Sequence, residues 1–329
     1  MATIRYILLI LAGSLAGVAT SAPAAAQATR TYVSGFGDDS LPCTRLAPCR
    51  TFFGAMIRTA TGGEIDCIDA AGFGPLTITR SMTIACDVTV GQGGVFALAN
   101  NAITINIPAT SYVTLSGLLI NGLGNSASPA MLNGVSIVQG GVVTIRNSTI
   151  TGFTAGFGIN FTPTATAQLM LDDVAVTGNG NAATALTGGL FVKPAAGVTA
   201  TVRVAGGRFR NNANTALRLD TVGTVGATIN ATLDGSSLSA NTIGVLAKAP
   251  SGTGTIRLMV LRSTIDQNLS YGLIASGTGT TIRVGGSGIT NNGTGVFPTG
   301  FGTLLSYGTN QLDGNTIDGS FSGPPIPNR

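Results

Sequence analysis

Five charged residues in the middle of the chain have side chains that could carry out chemistry: Arg146, Asp172, Asp173, Arg203 and Asp234. A carboxylate can hold Ca²⁺ or transfer a proton, and an arginine can bind an acidic group or act as a base. Histidine is absent from all 329 residues. This absence excludes Ser-His-Asp triads, histidine metal ligands and histidine acid–base catalysis.

The composition predicts a folded chain. Hydrophobic residues make up 44% of the sequence and the net charge is only +4, so the chain lacks the charge-rich, apolar-poor character of disordered proteins. The arginines are scattered and form no basic run, so the sequence gives no support to nucleic-acid binding.

Residues 1–28 are expected to be a secretory signal peptide. Arg5 precedes the apolar stretch from Ile7 to Ala19, and small residues follow it. A membrane anchor at the same place is the alternative. Later stretches are too short or too polar to span a bilayer, so no membrane span is expected in the mature chain.

The cysteines all lie early in the chain, at Cys43, Cys49, Cys67 and Cys86. An even number after a signal peptide predicts disulfides and a secreted, periplasmic or cell-surface location. Three pairings are open. A metal site is the alternative, but the spacing lacks a C-x-x-C motif.

A loose repeat decides the fold class. Eight units of 23 to 33 residues each contain two apolar positions two residues apart, which predicts a strand with one buried face. In the last unit these positions are expected to be Leu305 and Tyr307. A turn and a second apolar anchor follow, at Ile120, Ile150, Val176, Phe209, Leu238, Ile265, Ile289 and Leu312. A further strand then places one residue per unit inside, at Val135, Ile159, Leu190, Leu217, Val245, Leu273 and Val296.

Six consecutive units have asparagine three residues past the anchor. Stacked asparagines can form a hydrogen-bonded ladder, and they tolerate the left-handed backbone of a turn. The alternative is that asparagine is simply common in turns. The six are Asn179, Asn212, Asn241, Asn268, Asn292 and Asn315.

These repeats, with the opening segment from Thr31 to Asp87, resemble the right-handed parallel β-helix proteins of the pectate-lyase-like superfold, in particular exported bacterial ones. The resemblance implies an all-β solenoid with a short N-terminal capping helix. Thr51 is expected to cap that helix, which plugs the open end of the stack. Its apolar side is expected to carry Phe52, Phe53, Met56 and Ile57.

The expected organisation is a signal peptide at 1–28, a strand, disulfide loop and capping helix at 29–62, coils at 63–315 and a Pro-rich tail at 316–329. With Ile65 and Ile84 facing inward, Cys67 and Cys86 share the interior, which favours their pairing. Cys43 and Cys49 then form a local bridge.

The resemblance is weak for function, because the superfold includes lyases, hydrolases, adhesins and inert spacers. Most of its enzyme motifs need histidine, and only an Asp-Asp pair is present, at 172–173. In the predicted coils Arg146 and Asp172 are stacked neighbours with Arg203 close by. Asp172 and Asp234 lie two coils apart, about 9.6 Å, within the range of inverting glycosidases. An exposed ion pair of little consequence is the alternative to a site that binds uronate.

Two more features remain open. Asp38 and Asp39 suit an Asx turn better than a Ca²⁺ site. The outward positions of the strand that follows the anchor in each unit predict an apolar patch. This patch is either an interface, for example for self-association, or is covered by the C-terminal tail. The patch residues are Phe191, Leu246, Ile274 and Phe297.

Together these observations favour an exported, non-catalytic binding or scaffold protein with a polysaccharide or cell-surface partner and no cofactor. The alternative is a polysaccharide lyase or glycoside hydrolase that acts on acidic glycans, with Arg146, Asp172, Asp173, Arg203 and Asp234 as its site. A lyase would be expected to use Ca²⁺.

Overall fold

The computed structural model describes residues 27–87, 91–97, 100–124 and 132–327. The predicted signal peptide, residues 1–28, lies outside the described residues except for its last two. In the described part of the chain, no helix has the length and apolar character needed to cross a membrane.

Short strands make up most of the described chain. The first third contains β1 (Ala28–Val33), β2 (Thr59–Cys67), β3 (Leu76–Ile78), β4 (Met82–Ala85), β5 (Gly93–Phe96), β6 (Ile103–Asn106), β7 (Tyr112–Ser116) and β8 (Leu118–Asn121). The middle contains β9 (Val135–Gln139), β10 (Val142–Arg146), β11 (Thr149–Thr151), β12 (Phe157–Phe161), β13 (Ala167–Asp172), β14 (Ala175–Thr177), β15 (Gly188–Val192), β16 (Thr199–Ala205), β17 (Arg208–Arg210) and β18 (Thr215–Asp220). The last third contains β19 (Thr228–Asp234), β20 (Ser237–Ser239), β21 (Ile243–Lys248), β22 (Thr255–Leu261), β23 (Thr264–Asp266), β24 (Tyr271–Ser276), β25 (Thr280–Gly285), β26 (Gly288–Thr290), β27 (Thr294–Thr299), β28 (Thr303–Ser306), β29 (Gln311–Leu312) and β30 (Ile317–Gly319).

These strands form three parallel sheets that enclose one core. From β7 onward each coil adds one strand to each sheet in turn. The first sheet runs β1-β2-β4-β7-β10-β13-β16-β19-β22-β25-β28, the second β5-β8-β11-β14-β17-β20-β23-β26-β29, and the third β3-β6-β9-β12-β15-β18-β21-β24-β27-β30. The chain is therefore a parallel β-helix of about ten turns. Its first strand begins at Ala28 and its last strand ends at Gly319.

The buried columns follow the predicted register in every coil except the last. Val143, Leu169 and Val202 align along the first sheet and are buried, as are the anchors of the second sheet up to Ile289. In the final coil Ile282 pairs with Leu304 and Val284 with Ser306, so Leu305 and Tyr307 do not face inward.

A longer turn explains this one-residue error. Ser306 stands six positions before Leu312, whereas Val284 stands five before Ile289. Counting back from the anchor therefore assigns the last strand to the wrong face, since a shift of one residue reverses every side chain. Leu305 lies on the outer face, and Tyr307 lies in the turn that follows the strand.

The six asparagines form a continuous ladder, which is buried except at the half-buried Asn315. Each Nδ2 donates to the Oδ1 of the next asparagine at 2.8 to 3.1 Å, and each backbone N–H donates to the same oxygen. Each Nδ2 also donates to a backbone carbonyl of the preceding coil, as Asn241 does to Phe209 at 3.1 Å. The ladder ends at Asp318, whose Oδ1 accepts from the backbone and side chain of Asn315.

The left-handed position of this turn belongs to the residue before each asparagine. Asn211, Ala240, Gln267 and Asn291 have φ between 53° and 56°, and glycine occupies the position at Gly178 and Gly314. The ladder asparagine is selected for its hydrogen bonds and not for its tolerance of positive φ, which corrects the sequence-based interpretation.

A serine ladder that the sequence did not indicate holds the turn between the first and second sheets. The hydroxyl of Ser263 accepts from the N–H of Ser236 at 3.1 Å and donates to the carbonyl of Leu261 at 2.7 Å. Ser287 repeats this pattern in the next coil. Two of the three turns of the coil are thus held by polar side chains that satisfy backbone groups.

The capping helix α1 spans Phe52–Arg58, and the Thr51 hydroxyl accepts from the N–H of Gly54 at 3.0 Å. Its buried side contains Phe52 and Ala55, while Phe53 and Ile57 are exposed. The predicted apolar face was therefore half wrong. Residues three or four apart share a helix face, so Phe52 shares its side with Ala55 and Met56 and not with its neighbour Phe53.

Two disulfides hold the N-terminal end together. Cys43 bonds to Cys49 with a Cα–Cα distance of 4.7 Å, and Cys67 bonds to Cys86 at 4.8 Å. The second bridge lies in the core beside Ile65 and Ile84, which pair across β2 and β4. The first closes the loop whose Cys49 carbonyl and N–H pair with the outer edge of β1. This loop covers a strand edge that would otherwise be open.

We expect Asn241→Ala to destabilise the fold strongly. The substitution leaves two buried donors of Asn212 without their acceptor, at a cost of about 1–3 kcal/mol each. Urea denaturation followed by circular dichroism should show a clearly lower midpoint. Asn230→Ala, on the outer face of β19, is the matched control and should change stability by less than about 0.5 kcal/mol. Equal midpoints for the two variants would contradict a stabilising ladder.

Candidate functional site on the outer face of the first sheet

The first sheet carries most of the predicted site residues on its outer face. The last residues of four consecutive strands form a row across this face. Its order is Arg146, Asp172, Ala205 and Asp234. Arg203 lies on the same face, two residues before Ala205 on β16. The row exists because each strand ends at the same point of the coil, where the serine turn begins.

Arg146 does not engage Asp172, although their strands pair as predicted. Its Nε donates to the hydroxyl of Ser116 on the preceding coil at 3.0 Å, and that hydroxyl donates to Asp87. Among the described residues no ion pair joins Arg146 to Asp172 within 4.0 Å. The predicted stacking of Arg146 beside Asp172 is confirmed by the register, but the guanidinium is hydrogen-bonded to the serine of the preceding coil.

Asp173 leaves the row at the next residue. It has φ of 54°, is exposed, and its Oδ1 lies over Gly206 of the following coil, where a Cβ atom would stand 2.4 Å from it. Asp172 and Asp173 therefore do not converge on one substrate. The Asp-Asp pair of the sequence is a strand end followed by a turn residue.

Asp234 is already paired. Its Oδ2 lies 2.5 Å from Nη2 of the exposed Arg262, in the turn of the next coil. Asp172 and Asp234 share a row at the expected separation of about 9.6 Å, two strand spacings. The structure thus brings two of the predicted carboxylates to one row, with one of them neutralised.

These residues do not form a calcium site. Ca²⁺ takes six to eight oxygen ligands, and the described residues contain no group of three or more Asp, Glu, His or Cys that could hold a metal ion. The carboxylate of Asp234 is held by Arg262. The donor set therefore does not fit the cation that a lyase of this fold is expected to use.

A basic cleft lies beside this row. The sequence identified only Arg203 among the arginines that line it. The cleft has a volume of about 340 Å³, and Arg203, Arg257 and Arg283 line it together with Thr201 and other uncharged residues. In the described chain, the three guanidinium groups have no carboxylate within 4.0 Å. The sequence could have identified Arg257. It directly precedes the buried Leu258, and neighbouring residues of a strand face opposite sides, so Arg257 faces outward as Met259 does.

The N-terminal end of the same face carries charges of both signs. Arg30 pairs with Glu64 at 2.5 Å and with Asp66 at 3.3 Å. Burial, assisted by the hydrogen bond and negative charge of Glu64, raises the pKa of Asp66 to about 6, although Arg30 and Arg45 oppose the shift. The outer face therefore changes from mixed charge near β2 to mainly basic from β16 onward.

The aspartates of the opening loop have structural roles. Asp38 accepts from the N–H of Ser40 at 2.8 Å, as an Asx turn does, and this bond lowers its pKa. Asp39 instead accepts from the N–H groups of Arg50 and Thr51 and from the Thr51 hydroxyl. It orients the residue that caps α1.

The apolar column of the third sheet has the predicted register but is less exposed than expected. Phe191, Leu246, Ile274 and Phe297 align, with Arg218 between the first two. Ile274 is buried, and only Phe297 of the four ranks as exposed, at 40%. In its described part, the C-terminal tail first adds β30 beside β27 of this sheet and then pairs with the first sheet, where the N–H of Ser322 donates to the carbonyl of Leu304.

Comparison with known proteins agrees with the fold. The structure of pectate lyase Pel9A superposes with a TM-score of 0.53 over 87% of this chain and 73% of its own, at 14% identity. The chain is a parallel β-helix of the pectate-lyase-like fold. The Dettilon tailspike protein matches with a TM-score of 0.42 over 77% of this chain and 62% of its own, at 12% identity. No family model and no curated protein matches the sequence.

We expect Asp66→Asn to gain stability over the parent chain as the pH rises. In the unfolded chain Asp66 titrates near 3.8, whereas in the folded chain it keeps its proton to about pH 6. Ionisation of Asp66 in the folded chain therefore lowers the free energy of unfolding progressively between about pH 4 and 6. Above about pH 6 this loss is constant. The asparagine variant avoids it.

Urea midpoints at pH 4, 5, 6 and 7 test this expectation. Asp38→Asn is the control: because the pKa of Asp38 is lowered, its ionised form stabilises the fold fully above about pH 4, and the difference from the parent should stay nearly constant over this range. A difference between parent and Asp66→Asn that stays constant over this range would contradict the assignment.

Proposed function

We propose that this protein is an exported, non-catalytic β-helix protein that binds an acidic polysaccharide on the outer face of its first sheet. The cleft lined by Arg203, Arg257 and Arg283 is the observation that carries the proposal. Its lining includes no aspartate or glutamate. A guanidinium can bind a carboxylate or sulfate through two parallel hydrogen bonds.

The spacing of the three arginines suits a polymer better than a single small anion. Arg203 lies on β16 and Arg257 on β22, two strand spacings apart, or about 9.6 Å along the helix axis. Arg283 follows on β25, one spacing further. A chain of acidic sugars that runs across the strands meets these positive charges in succession.

Uncharged polar groups between the arginines support the same ligand class. Thr201 and Asn230 align with Arg257 in one row, and Thr232 aligns with Arg203 and Arg283 in the next. Sugar hydroxyls both donate and accept hydrogen bonds, as do threonine hydroxyls and asparagine amides. The arginines would pair with the acidic groups of the polysaccharide, and the threonine and asparagine side chains would form hydrogen bonds with its hydroxyls.

The available carboxylates argue against cleavage. Glycoside hydrolysis needs two carboxyl groups that flank the scissile bond. Asp234 is paired with Arg262, and the carboxylate of Asp173 lies over Gly206 in the turn after the row. A lyase that uses arginine as its base is the remaining alternative, and Arg146, Asp172 and Arg203 are the residues on which it would depend.

An extracellular location is part of the proposal. Two disulfides in a short N-terminal segment are typical of proteins that fold in oxidising compartments. The predicted signal peptide agrees with export.

We expect Arg203→Gln/Arg257→Gln to weaken binding to polygalacturonate or alginate by at least about 100-fold. Each substitution removes charge-assisted hydrogen bonds, which contribute about 1.5–3 kcal/mol apiece, and about 1.4 kcal/mol is a tenfold change in affinity. Calorimetry at two salt concentrations measures the loss. The matched control is Arg208→Gln/Arg210→Gln, which removes the same charge from exposed positions of the second sheet.

Equal loss in both double variants would show that binding follows net charge and not the cleft. The catalytic alternative is tested on the same polysaccharides with and without Ca²⁺, by the absorbance of unsaturated uronate and by reducing ends. Product that forms with the parent chain and disappears in Asp172→Ala would contradict the non-catalytic assignment.

A further inference from the structure

The C-terminal tail folds back along the last strand of the first sheet. The N–H of Ser322 donates to the carbonyl of Leu304 at 2.7 Å, and the N–H of Ile326 donates to the carbonyl of Ser306 at 2.9 Å. The Ser322 hydroxyl accepts from the N–H of Leu304 at 3.0 Å, and Phe321 packs against the core. The tail is thus an integral part of this end of the sheet.

A second, larger cleft lies between this tail and the outer face of β22, β25 and β28. Its volume is about 750 Å³, within the range of sites that bind small molecules. Its wall is mostly apolar. The apolar side chains are Met259, Leu261, Leu305, Tyr307, Ile326 and Pro327.

Small residues open the floor of this cleft. A Cβ atom at Gly285 would stand 3.1 Å from Cδ2 of Tyr307 and 3.4 Å from Cδ2 of Leu261. Glycine at this position lets the tyrosine ring lie close against β25. The ring thereby offers an apolar surface on the side of the cleft nearest the tail.

One charged group in this cleft lacks a partner. Arg262 is paired with Asp234, but Arg283 has no carboxylate within 4.0 Å in the described part of the chain. Arg283 is half-buried on β25. A partly desolvated guanidinium gains from an anionic partner, since it has lost part of its hydration.

We propose that this cleft binds a small amphipathic carboxylate, whose acid group pairs with Arg283 and whose apolar body lies against Tyr307, Leu305 and Ile326. A polysaccharide fits this cleft poorly, because its hydroxyls would face apolar side chains and lose hydrogen bonds to water. The site shares Arg283 with the arginine cleft of the proposed function, but Tyr307, Leu305 and Ile326 line this cleft alone.

Calorimetry with 2-naphthoate and its neutral counterpart naphthalene-2-carboxamide tests the proposal on the folded chain. We expect saturable one-to-one binding of the acid, at least tenfold tighter than that of the amide. Arg283→Gln should remove this preference, and Tyr307→Ala should weaken both ligands alike. Octanoate, compared with 2-naphthoate, tells whether the cleft favours an aliphatic or an aromatic body.

Two controls separate this site from the polysaccharide cleft and from folding. Arg203→Gln/Arg257→Gln should leave 2-naphthoate affinity within twofold, and Ile326→Ala, which removes a tail contact, should weaken it several-fold. Thermal unfolding of each variant confirms that the fold is retained. No saturable binding of either acid at millimolar concentration, or unchanged preference in a folded Arg283→Gln variant, would overturn the proposal.

Discussion

A single coil of this chain cannot satisfy its own backbone or bury its own apolar face, and every other feature depends on its pairing with the coils before and after it. Parallel hydrogen bonds join each strand to the equivalent strand one coil away. The asparagine and serine ladders extend the same pairing into the turns, where ordinary strand bonds end. Position within the coil therefore decides what each residue contacts, more than its neighbours in sequence do.

This dependence explains what the sequence could predict. Inward positions must be apolar in every coil, so Val143, Leu169 and Val202 reveal the strands and their register by repetition alone. Asn241 and its equivalents were recognisable because the ladder needs the same side chain each time. Cys67 and Cys86 could be paired because Ile65 and Ile84 fixed the direction of their strands.

The remainder depends on contacts that do not repeat. Arg146 pairs with Ser116 and not with Asp172, a choice between two neighbours that lie on either side of it. Leu305 was assigned to the wrong face because one turn is a residue longer than the others. The tail belongs to no repeat, so its docking beside β28 could not be predicted from the periodicity.

The asparagine ladder also has a direction, which bears on how such a chain can change its length. In the bonds between ladder side chains, every asparagine donates to its neighbour on the C-terminal side. The last acceptor is the carboxylate of Asp318, which receives two hydrogen bonds from Asn315 and closes the series. An internal rung such as Asn241 has the same partners on both sides as Asn268. Whole coils can therefore be gained or lost in the interior by duplication or deletion, while the two terminal caps stay unchanged.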